Sequence, residues 1–484
     1  MLQPRQDDPL AALQQAVAHE DLQAMSQAGR ALVMSQAKLG PRWSEVAGVM
    51  NEAGDIACLL GACHKLVEQV PDDPQSYVWL ASAYAKGGDH RSALQTLQPL
   101  LKASPRDPGL NRRVGRILLD LGLKEEAEIV FRTALDANGL DALAWEGLSR
   151  AVTFQPGSDD LAELEQARIS ANEDISSRDR GILSYALAKA YEDIGEFDIA
   201  SRRVAEAAAF YRASAPFDMD QHQEGVRRIL EVYDSSFTGA NQEAGLIDSR
   251  PVFIMAPPSC GASWLASVLA AAPAVGALPR NNSLFWMSGS PLGDQSREHI
   301  HAVLEAPREG NVLTGVGMDY LTYTQEILGD VRRWIDPSSL NEMSGGAIGL
   351  CLPAARFVRI RRDPLDQAWS ILKTRFVRAR HWTYHPDDIA RVLALHNRLV
   401  ERWEQLFPGR FLTVRYEDLL ADPENEVRRI AFFAGIDADA VTAAAAQRMK
   451  ALEGDPAGVH ELAGKRIEPV REALIRAGFT LGGA

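Results

Sequence analysis

Two patterns of hydrophobic positions divide the chain. Up to about residue 233, apolar residues recur at helical spacing in one segment after another, which predicts a largely α-helical N-terminal half. Beyond residue 250, short apolar runs alternate with helical patterns; these runs are VFIM (Val252–Met255), ARFVRI (Ala355–Ile360) and RFLTVRY (Arg410–Tyr416). Strands separated by helices predict a parallel sheet with helices on its faces. The polar stretch 234–250 is predicted to be a linker.

The helical half contains an internal repeat of 34 residues. Small and large apolar residues return in register in the segments that begin at Pro74 and Pro108: Tyr77, Leu80, Ala81, Tyr84, Gly88, Ala93, Leu97 and Pro105, then Gly115, Leu118, Gly122, Ala127, Phe131 and Ala134. These are the packing positions of tetratricopeptide repeats, in which small residues let paired helices approach. The pattern favours an α-solenoid over 1–233 rather than a generic helical bundle. Its units are expected near 40–73, 74–107, 108–141, 142–180 and 181–214, followed by a bridging helix.

Composition narrows the classes of partner. The chain has 484 residues and a net charge of −14, which argues against a nucleic-acid-binding protein, so any anion site must be a local basic cluster. No apolar run approaches the length of a membrane span, and the N-terminus has no secretory signal pattern. The four cysteines form neither a disulfide framework nor a metal-ligand pattern. We therefore expect a cytoplasmic protein without a structural metal.

The segment PVFIMAPPSCGASWLASVLAAAP (Pro251–Pro273) has the layout of a phosphate-binding loop. A strand meets a tight turn, Ser259–Ser263, and the turn opens a helix of small residues. In parallel α/β sheets, ligands bind at the carboxyl ends of strands, where this turn would lie. The turn contains no Lys or Arg, although an anionic ligand would be stabilised by one.

A second candidate element is RIRRDPLDQAWSILKTRF (Arg359–Phe376). Arg359, Arg361 and Arg362 form the densest basic cluster of the C-terminal half, and Ser370 lies on the helix that follows. A guanidinium at a strand end and a hydroxyl on the next helix can together bind a phosphate. The alternative is a solvated cluster of arginines paired with nearby carboxylates.

In this order, the two segments resemble the sulfotransferase family that uses 3′-phosphoadenosine 5′-phosphosulfate (PAPS). More narrowly, the chain resembles bacterial proteins that join tetratricopeptide repeats to a sulfotransferase domain, relatives of tyrosylprotein sulfotransferases. The resemblance rests on four stretches: ALAKAYEDIGEFDIASRRV in the last repeat, PVFIMAPPSCGASWLASVL at the 5′-phosphosulfate loop, ARFVRIRRDPLDQAWS at the 3′-phosphate element, and LTVRYEDLLADPENEVRRIAFFAGI after the substrate region.

The resemblance implies a P-loop-like α/β domain with a central parallel sheet over 251–484. It implies transfer of a sulfuryl group from PAPS to a hydroxyl, releasing adenosine 3′,5′-bisphosphate. Arg362 and Ser370 would hold the 3′-phosphate and Tyr416 would lie near the adenine. The amides of the turn would face the 5′-phosphosulfate at a helix N-terminus; its residues are Ser259, Cys260, Gly261, Ala262 and Ser263. A nucleoside triphosphatase loop would require a Lys, and position 262 is Ala.

The chain departs from the family pattern at several positions. Ser259 stands where the family has Arg or Lys, and Ala262 where it has its first Thr. Pro279 and Arg280 occupy the neighbourhood of a Glu that can deprotonate the acceptor, and 336–339 reads Asp-Pro-Ser-Ser where the family has a Lys. Removing one preorganised donor typically costs about 10² to 10³ in rate, and removing a general base about 10² to 10⁴.

No catalytic residue is therefore assigned from the sequence. Replacement groups would have to come from the segment after the Arg362 helix, namely Lys373, Arg375, His381 and His385. The alternative is that these four are surface or packing residues.

Two functional hypotheses follow. The first is a PAPS-dependent sulfotransferase whose acceptor, a protein or glycan hydroxyl, is recruited by the concave face of the repeats. The second is a catalytically degenerate relative that serves as a scaffold or regulator and binds a protein or peptide segment. The resemblance supports the first hypothesis and the departures support the second, so whether the protein is an enzyme stays open at this point.

Overall fold

The computed structural model describes residues 10–19, 21–174, 176–214, 216–280, 312–376, 381–448 and 457–481. The N-terminal region is helical. Its helices are α1 (Ala11–Ala18), α2 (Leu22–Met34), α3 (Trp43–Ala53), α4 (Ile56–Gln69), α5 (Pro74–Lys86), α6 (His90–Ala103), α7 (Pro108–Asp120), α8 (Lys124–Ala137), α9 (Ala142–Ala151), α10 (Asp159–Asp174), α11 (Ser177–Asp193), α12 (Phe197–Ser214), α13 (Met219–Val232) and α14 (Ser235–Asn241). The last of these lies within the polar stretch 234–250.

An aspartate before the first helix of each pair, and a glycine in the turn after it, recur at intervals of 34 residues. The side chains of Asp73, Asp107 and Asp141 accept backbone hydrogen bonds as the N-caps of α5, α7 and α9. Such a cap stabilises a helix by about 1 kcal/mol. Gly88 and Gly122, in the turns after α5 and α7, have φ of 86° and 79°. Glycine adopts this left-handed conformation without steric cost, so the 34-residue period reflects both helix starts and helix ends.

Glycine also sets how closely the repeat helices pack. A Cβ built on Gly115 of α7 would lie 2.7 Å from Phe131 Cζ, and one on Gly147 of α9 would lie 2.2 Å from Phe131 Cε1. Non-bonded carbon atoms normally sit about 3.5 to 4.0 Å apart. Phe131, on α8, is 1% exposed. The ring therefore packs against both neighbouring helices only because neither carries a side chain there.

A five-stranded sheet follows the helical region. Its strands are β1 (Pro251–Met255), β2 (Val275–Ala277), β3 (Arg333–Asp336), β4 (Arg356–Arg361) and β5 (Phe411–Arg415). The spatial order is β2-β3-β1-β4-β5, and every described pairing is parallel. Because β1 pairs with β4, and β4 with β5, the carboxyl ends of these three strands lie side by side.

The sheet region contains further helices. They are α15 (Ala262–Leu269), α16 (Val312–Leu328), α17 (Asn341–Cys351), α18 (Pro364–Leu372), α19 (Pro386–Leu406), α20 (Tyr416–Ala421), α21 (Pro423–Ala434), α22 (Ala438–Arg448) and α23 (Glu468–Arg476). Short 3-10 helices span Gly40–Arg42, His381–Tyr384 and Val459–Ile467.

One face of the sheet is covered by α15, α21 and α22. Alternate strand residues such as Val252, Ile254, Val358 and Ile360 belong to the same buried cluster as apolar residues of these three helices. Alternation is the pattern of side chains that share one face of a strand. The helix that begins after β1 is thus fixed to the sheet by its own apolar side chains.

The chain forms two compact units, each assembled from three segments. The first unit takes in the described residues of Met1–Gly88, Asp220–Arg362 and Leu395–Gly454, which include the whole sheet. The second unit takes in those of Asp89–Met219, Asp363–Ala394 and Asp455–Ala484. Both units are therefore composed of residues from the helical half and from the sheet-containing half.

The predicted fold class is confirmed: a mostly helical N-terminal region precedes a parallel sheet with helices on its faces. The three predicted apolar runs correspond to β1, β4 and β5. Among the described residues, no helix combines the length and the hydropathy that crossing a bilayer requires.

Candidate functional site

The turn after β1 has an unusual backbone. All five residues of β1 are buried, and the chain then turns through Ser259, with φ 62°, and Gly261, with φ 75°. A left-handed conformation costs a residue with a side chain roughly 1 to 2 kcal/mol. Ser259 therefore holds a strained conformation at the position where the sequence analysis found a cation to be missing.

The turn opens directly into the N-terminus of α15. Gly261 is the N-cap, and no side chain caps the helix there. The first N–H groups of a helix lack partners within the helix, and the helix dipole makes this end favourable for an anion. The amides of Ala262 and Ser263 belong to this end, and the Ser263 side chain is exposed. The turn therefore has the backbone arrangement of an anion-binding loop, without a side-chain cation inside it.

Arg362 reaches this turn from the end of β4. Its guanidinium Nη1 donates a hydrogen bond of 2.7 Å to the Ser259 carbonyl oxygen. The same guanidinium lies over the Tyr416 ring, 4.5 Å from the centroid. Arg362 is 6% exposed and Tyr416 is 1% exposed. The sequence-predicted residues Ser259, Arg362 and Tyr416 are therefore brought together at the carboxyl edge of the sheet.

The strand order explains this meeting. Arg362 follows β4 directly, and Tyr416, the first residue of α20, follows β5. The register of β4 and β5 pairs Arg361 with Arg415, which places the next residue of each strand side by side. Arg362 therefore covers one face of the Tyr416 ring.

The other arginines of the basic cluster have different environments. Arg359, inside β4 and 4% exposed, pairs with Glu404 at 2.8 Å and lies 3.8 Å from Glu401. Arg361 is exposed at the end of the strand. The ion-paired alternative thus describes Arg359, whereas Arg362 is directed at the turn.

Ser370 belongs to the second unit. It lies on α18 and is 1% exposed. The Asp363 side chain caps this helix by accepting from the amides of Leu365 and Asp366, at 2.9 and 3.0 Å. The predicted helix after the Asp-Pro turn is therefore present, and Ser370 is buried near its end.

Two further residues of the predicted site are part of the core. Cys260 is 1% exposed and Ala262 is 4% exposed, and both belong to the buried cluster under the sheet. Their side chains anchor the turn. Only the backbone groups of Cys260 and Ala262 lie in the turn as the hypothesis of an anion-binding loop requires.

The segment after β3 is organised by a buried carboxylate that the sequence analysis noted only for its missing Lys neighbour. Asp336 accepts hydrogen bonds from Ser338 N at 2.9 Å and from the Tyr320 hydroxyl at 3.1 Å. Burial raises the pKa of Asp336 to about 6. Asn341 donates to Ile254 O of β1 at 3.1 Å, so this segment supports the strand that leads into the turn.

A buried histidine–glutamate pair lies in the same unit and was missed by the sequence analysis. His396 Nδ1 lies 2.8 Å from Glu342 Oε2, and the two residues are 7% and 2% exposed. The His222 ring lies 5.5 Å from the His396 ring, and burial, together with His396, lowers the pKa of His222 to about 4. No motif marks these residues, because they are far apart in sequence and belong to different helices.

The four replacement candidates lie in the second unit, where His385 Nδ1 accepts a hydrogen bond from the Asp387 amide at 3.3 Å. Lys373 pairs with Glu192 at 3.4 Å, and Arg375 makes two hydrogen bonds to Glu146, at 2.5 and 2.6 Å. His381 is exposed. The packing alternative therefore describes Lys373 and Arg375, which bind carboxylates of α11 and α9.

Hydrogen bonds to Asp366 join the C-terminal segment to α18. Asp366, 2% exposed, accepts from Gly458 N at 2.6 Å, from His460 N at 2.9 Å, and from the His460 ring at 2.6 Å. Asp363, Asp366 and His460 bring possible metal-ligand atoms within 4.8 Å of one another. Since the Asp366 oxygens already accept these N–H groups, the grouping joins two segments of the chain.

Comparison with known proteins identifies both halves of the chain. Residues 79–142 match the tetratricopeptide repeat. Residues 251–440, which contain the turn, Arg362 and Tyr416, match the sulfotransferase family. The resemblance of these two regions to the tetratricopeptide repeat and to the sulfotransferase family is therefore confirmed.

Individual relatives are distant. A protein of Aquifex aeolicus described as uncharacterized is 21% identical over 397 residues, which cover 79% of this chain and 51% of that protein. The chain thus spans about half the length of this curated relative. A crystal structure of a sulfotransferase from Alicyclobacillus acidocaldarius is 18% identical, covering 45% of this chain and 100% of the other, with a TM-score of 0.29. Sulfotransferase STF9 from Mycobacterium avium is 13% identical, covering 69% and 99%, with a TM-score of 0.32.

Proposed function

We propose that the protein is a sulfotransferase that moves a sulfuryl group from PAPS to a hydroxyl group of a protein or glycan. The bond between sulfur and the phosphate oxygen of PAPS breaks, and a bond between sulfur and the acceptor oxygen forms. The hydroxyl proton is released, and adenosine 3′,5′-bisphosphate leaves. The family match over residues 251–440 specifies neither the donor nor the acceptor, so both belong to the proposal.

The observation that carries the proposal is the contact of Arg362 with the turn. The buried guanidinium, which is always charged, is hydrogen-bonded to the carbonyl of Ser259, in the turn that leads into α15. In the proposed complex the first amides of α15 bind the 5′-phosphosulfate. Arg362 binds the 3′-phosphate, while Tyr416 keeps the guanidinium in place. The proposal thus requires two anion-binding groups, the guanidinium and the amides at the start of α15.

The repeats are proposed to recruit the acceptor. Tetratricopeptide helices stack into a concave surface suited to a protein or peptide segment. We place the protein in the cytoplasm of a bacterium. All four cysteines are buried free thiols, as a reducing compartment favours, and the relative described above is bacterial.

A second candidate function is that of a catalytically degenerate scaffold. The specific observation in its favour is that Ser259, in place of a cation, turns its backbone carbonyl toward Arg362. That contact uses part of the hydrogen-bonding capacity that a phosphate would require. In this alternative the domain keeps its fold, and the repeats bind a partner without any group transfer.

Calorimetric titration with adenosine 3′,5′-bisphosphate tests the nucleotide site. Arg362→Ala is expected to weaken binding by at least about tenfold, because a charge-assisted hydrogen bond contributes roughly 1.5 to 3 kcal/mol. Arg361→Ala is the matched control, since it removes the same charge from the exposed neighbouring residue. The absence of binding to the wild-type protein, or equal losses in both variants, contradicts the proposed site.

Transfer itself is tested with sulfur-labelled PAPS and a bacterial extract depleted of small molecules. Label in a protein or glycan, lost in Arg362→Ala, supports the enzyme. Tight binding of adenosine 3′,5′-bisphosphate without transferred label supports the scaffold.

A further inference from the structure

The second unit contains a pocket of about 440 Å³ that the proposed function does not use. It lies between α12, α18, the start of α19 and the C-terminal segment. Small-molecule sites typically occupy about 300 to 1,000 Å³, so the volume is sufficient for an organic ligand. The repeat helix α12 presents small residues here, Ala205, Ala208 and Ala209, and these leave the space that forms the pocket.

The walls are apolar. Val204 of α12 faces the pocket together with Trp369 and Leu372 of α18 and Val470 of α23. Val204 and Val470 are each 1% exposed, and Trp369 is 4% exposed, so the walls are parts of a packed structure. Burial of hydrocarbon against such walls is favourable because it removes apolar surface from water. The lining therefore favours a ligand with an apolar body.

Two arginines, Arg212 and Arg466, line the pocket together with His385, and none of the described lining residues is Asp or Glu. Arg212 is neutralised by Asp388 at 2.7 Å, and His385 lies 3.9 Å from Asp387.

Arg466 differs from Arg212. Among the described residues, the carboxylate that pairs with Arg466 is Asp198, which lies 4.0 Å away and is 82% exposed, so water and salt screen this pair. An anion at the edge of the pocket can replace Asp198 at little cost, whereas a cation would be repelled. The chain has a net charge of −14, so a positively charged side chain paired only with an exposed carboxylate is a local exception.

We propose that this pocket binds an amphipathic organic monoanion, whose hydrocarbon body packs against Trp369, Leu372, Val204 and Val470 and whose carboxylate pairs with Arg466. The site is separate from the proposed nucleotide site in its residues and in its ligand chemistry. Its existence does not depend on sulfuryl transfer.

The direct test uses decanoate as the probe, titrated calorimetrically into the full-length protein. We expect saturable binding with about one site per chain. Decyltrimethylammonium, which has the same chain length and the opposite charge, is expected to bind at least about tenfold more weakly. Equal binding of the two probes would show that the pocket does not distinguish an anion from a cation, and would overturn the proposal.

Two matched pairs of variants locate the site. Ala209→Trp fills the pocket from an exposed position on α12, and Ala213→Trp places the same side chain on the same helix outside the lining. Arg466→Ala removes the proposed anion partner, and Arg471→Ala removes a nearby arginine that does not line the pocket. We expect at least tenfold weaker decanoate binding for Ala209→Trp and Arg466→Ala, recovery in Arg466→Lys, and little change in the two controls.

Circular dichroism melts of all five variants check that the fold is retained. Unchanged binding by Ala209→Trp would mean that decanoate associates with another surface. Equal losses of decanoate affinity in Arg466→Ala and Arg471→Ala would show that binding depends on the overall charge of the protein and not on Arg466. Either result overturns the assignment of this pocket.

Discussion

The Arg362 guanidinium donates its hydrogen bond to the carbonyl oxygen of Ser259, at 2.7 Å. An arginine that reaches the turn from a neighbouring strand thus lies beside a residue that carries no charge of its own. The positive charge at this turn comes from outside the loop. The same guanidinium lies over the Tyr416 ring.

The first prediction concerns this ring. A cation–π contact contributes roughly 0.5 to 2 kcal/mol, so Tyr416→Leu should weaken binding of adenosine 3′,5′-bisphosphate about two- to thirtyfold. Tyr416→Phe keeps the ring and should bind within about twofold of wild type. Calorimetric titration of both variants measures this. A large loss in Tyr416→Phe would assign the contribution to the hydroxyl group instead.

The second prediction concerns the packing of the repeats. Gly147→Ala puts a methyl group 2.2 Å from the Phe131 ring, and overpacking of this kind typically costs about 1 to 3 kcal/mol. The midpoint of thermal unfolding should fall by at least about 2 °C. Phe131→Leu, which shortens the opposing side chain, should recover part of the loss in the double variant.

Gly225→Ala serves as the control for that series. Gly225 also lies inside a helix, α13, but a Cβ there meets no heavy atom within 4 Å. Alanine favours the helix by about 1 kcal/mol over glycine, so this variant should be slightly stabilised. Similar losses in Gly147→Ala and Gly225→Ala would show that contact with Phe131 is not the cause.

The third prediction concerns pH. Burial raises the pKa of Asp336 from 3.8 to about 6, so between these pH values the folded protein binds more protons at this group than the unfolded chain does. The Asp336 contribution to stability is therefore fully present below about pH 4 and is lost as pH rises to about 6. Asp336→Asn stays uncharged and should lack this loss.

The stability of Asp336→Asn relative to wild type should thus increase from pH 4 to pH 7. At 1.36 kcal/mol per pKa unit, the increase is roughly 3 kcal/mol at most. Thermal unfolding at four pH values, with the exposed Asp439→Asn as control, measures it. A difference that stays constant with pH would mean that Asp336 titrates normally.

The fourth prediction concerns the link between α9 and the segment after α18. Arg375 is bound to Glu146 through two hydrogen bonds, whereas Lys373 and Glu192 share one contact at 3.4 Å. A double-mutant cycle with Arg375→Ala and Glu146→Ala should give a coupling of about 1 to 3 kcal/mol. The cycle with Lys373→Ala and Glu192→Ala should give less than about 1 kcal/mol. Urea denaturation measures both, and equal couplings would contradict the role assigned to the paired geometry.

The fold was accessible from sequence because its signals are local. Asp73, Asp107 and Asp141 recur at the repeat interval and cap their helices, and the apolar run Val252–Met255 lies within β1. Helix caps and periodic apolar residues act over a few residues, so a single sequence contains them. The strands β2 and β3 were not predicted, since runs of three and four residues carry too little pattern.

The candidate site could be predicted only in part from the sequence. The sequence located Ser259, Arg362 and Tyr416 as candidates through the family resemblance, but not the hydrogen bond or the ring contact that joins them. Those depend on the order of β1, β4 and β5, which spacing along the chain does not determine. The His396–Glu342 pair and the pocket beside Trp369 escaped notice for the same reason, because each depends on helices distant in sequence.

The three-segment composition of each compact unit has a consequence for biosynthesis. Along the chain, the three segments of the first unit alternate with the three segments of the second unit. The first unit begins the sequence of segments, and the segment from Asp455 onward belongs to the second unit. A ribosome therefore releases pieces of both units alternately, and the first complete set of native contacts in the second unit requires the Gly458 and His460 amides that bind Asp366. Dividing this polypeptide at the boundary between its repeats and its sheet would leave neither half with all of its native neighbours.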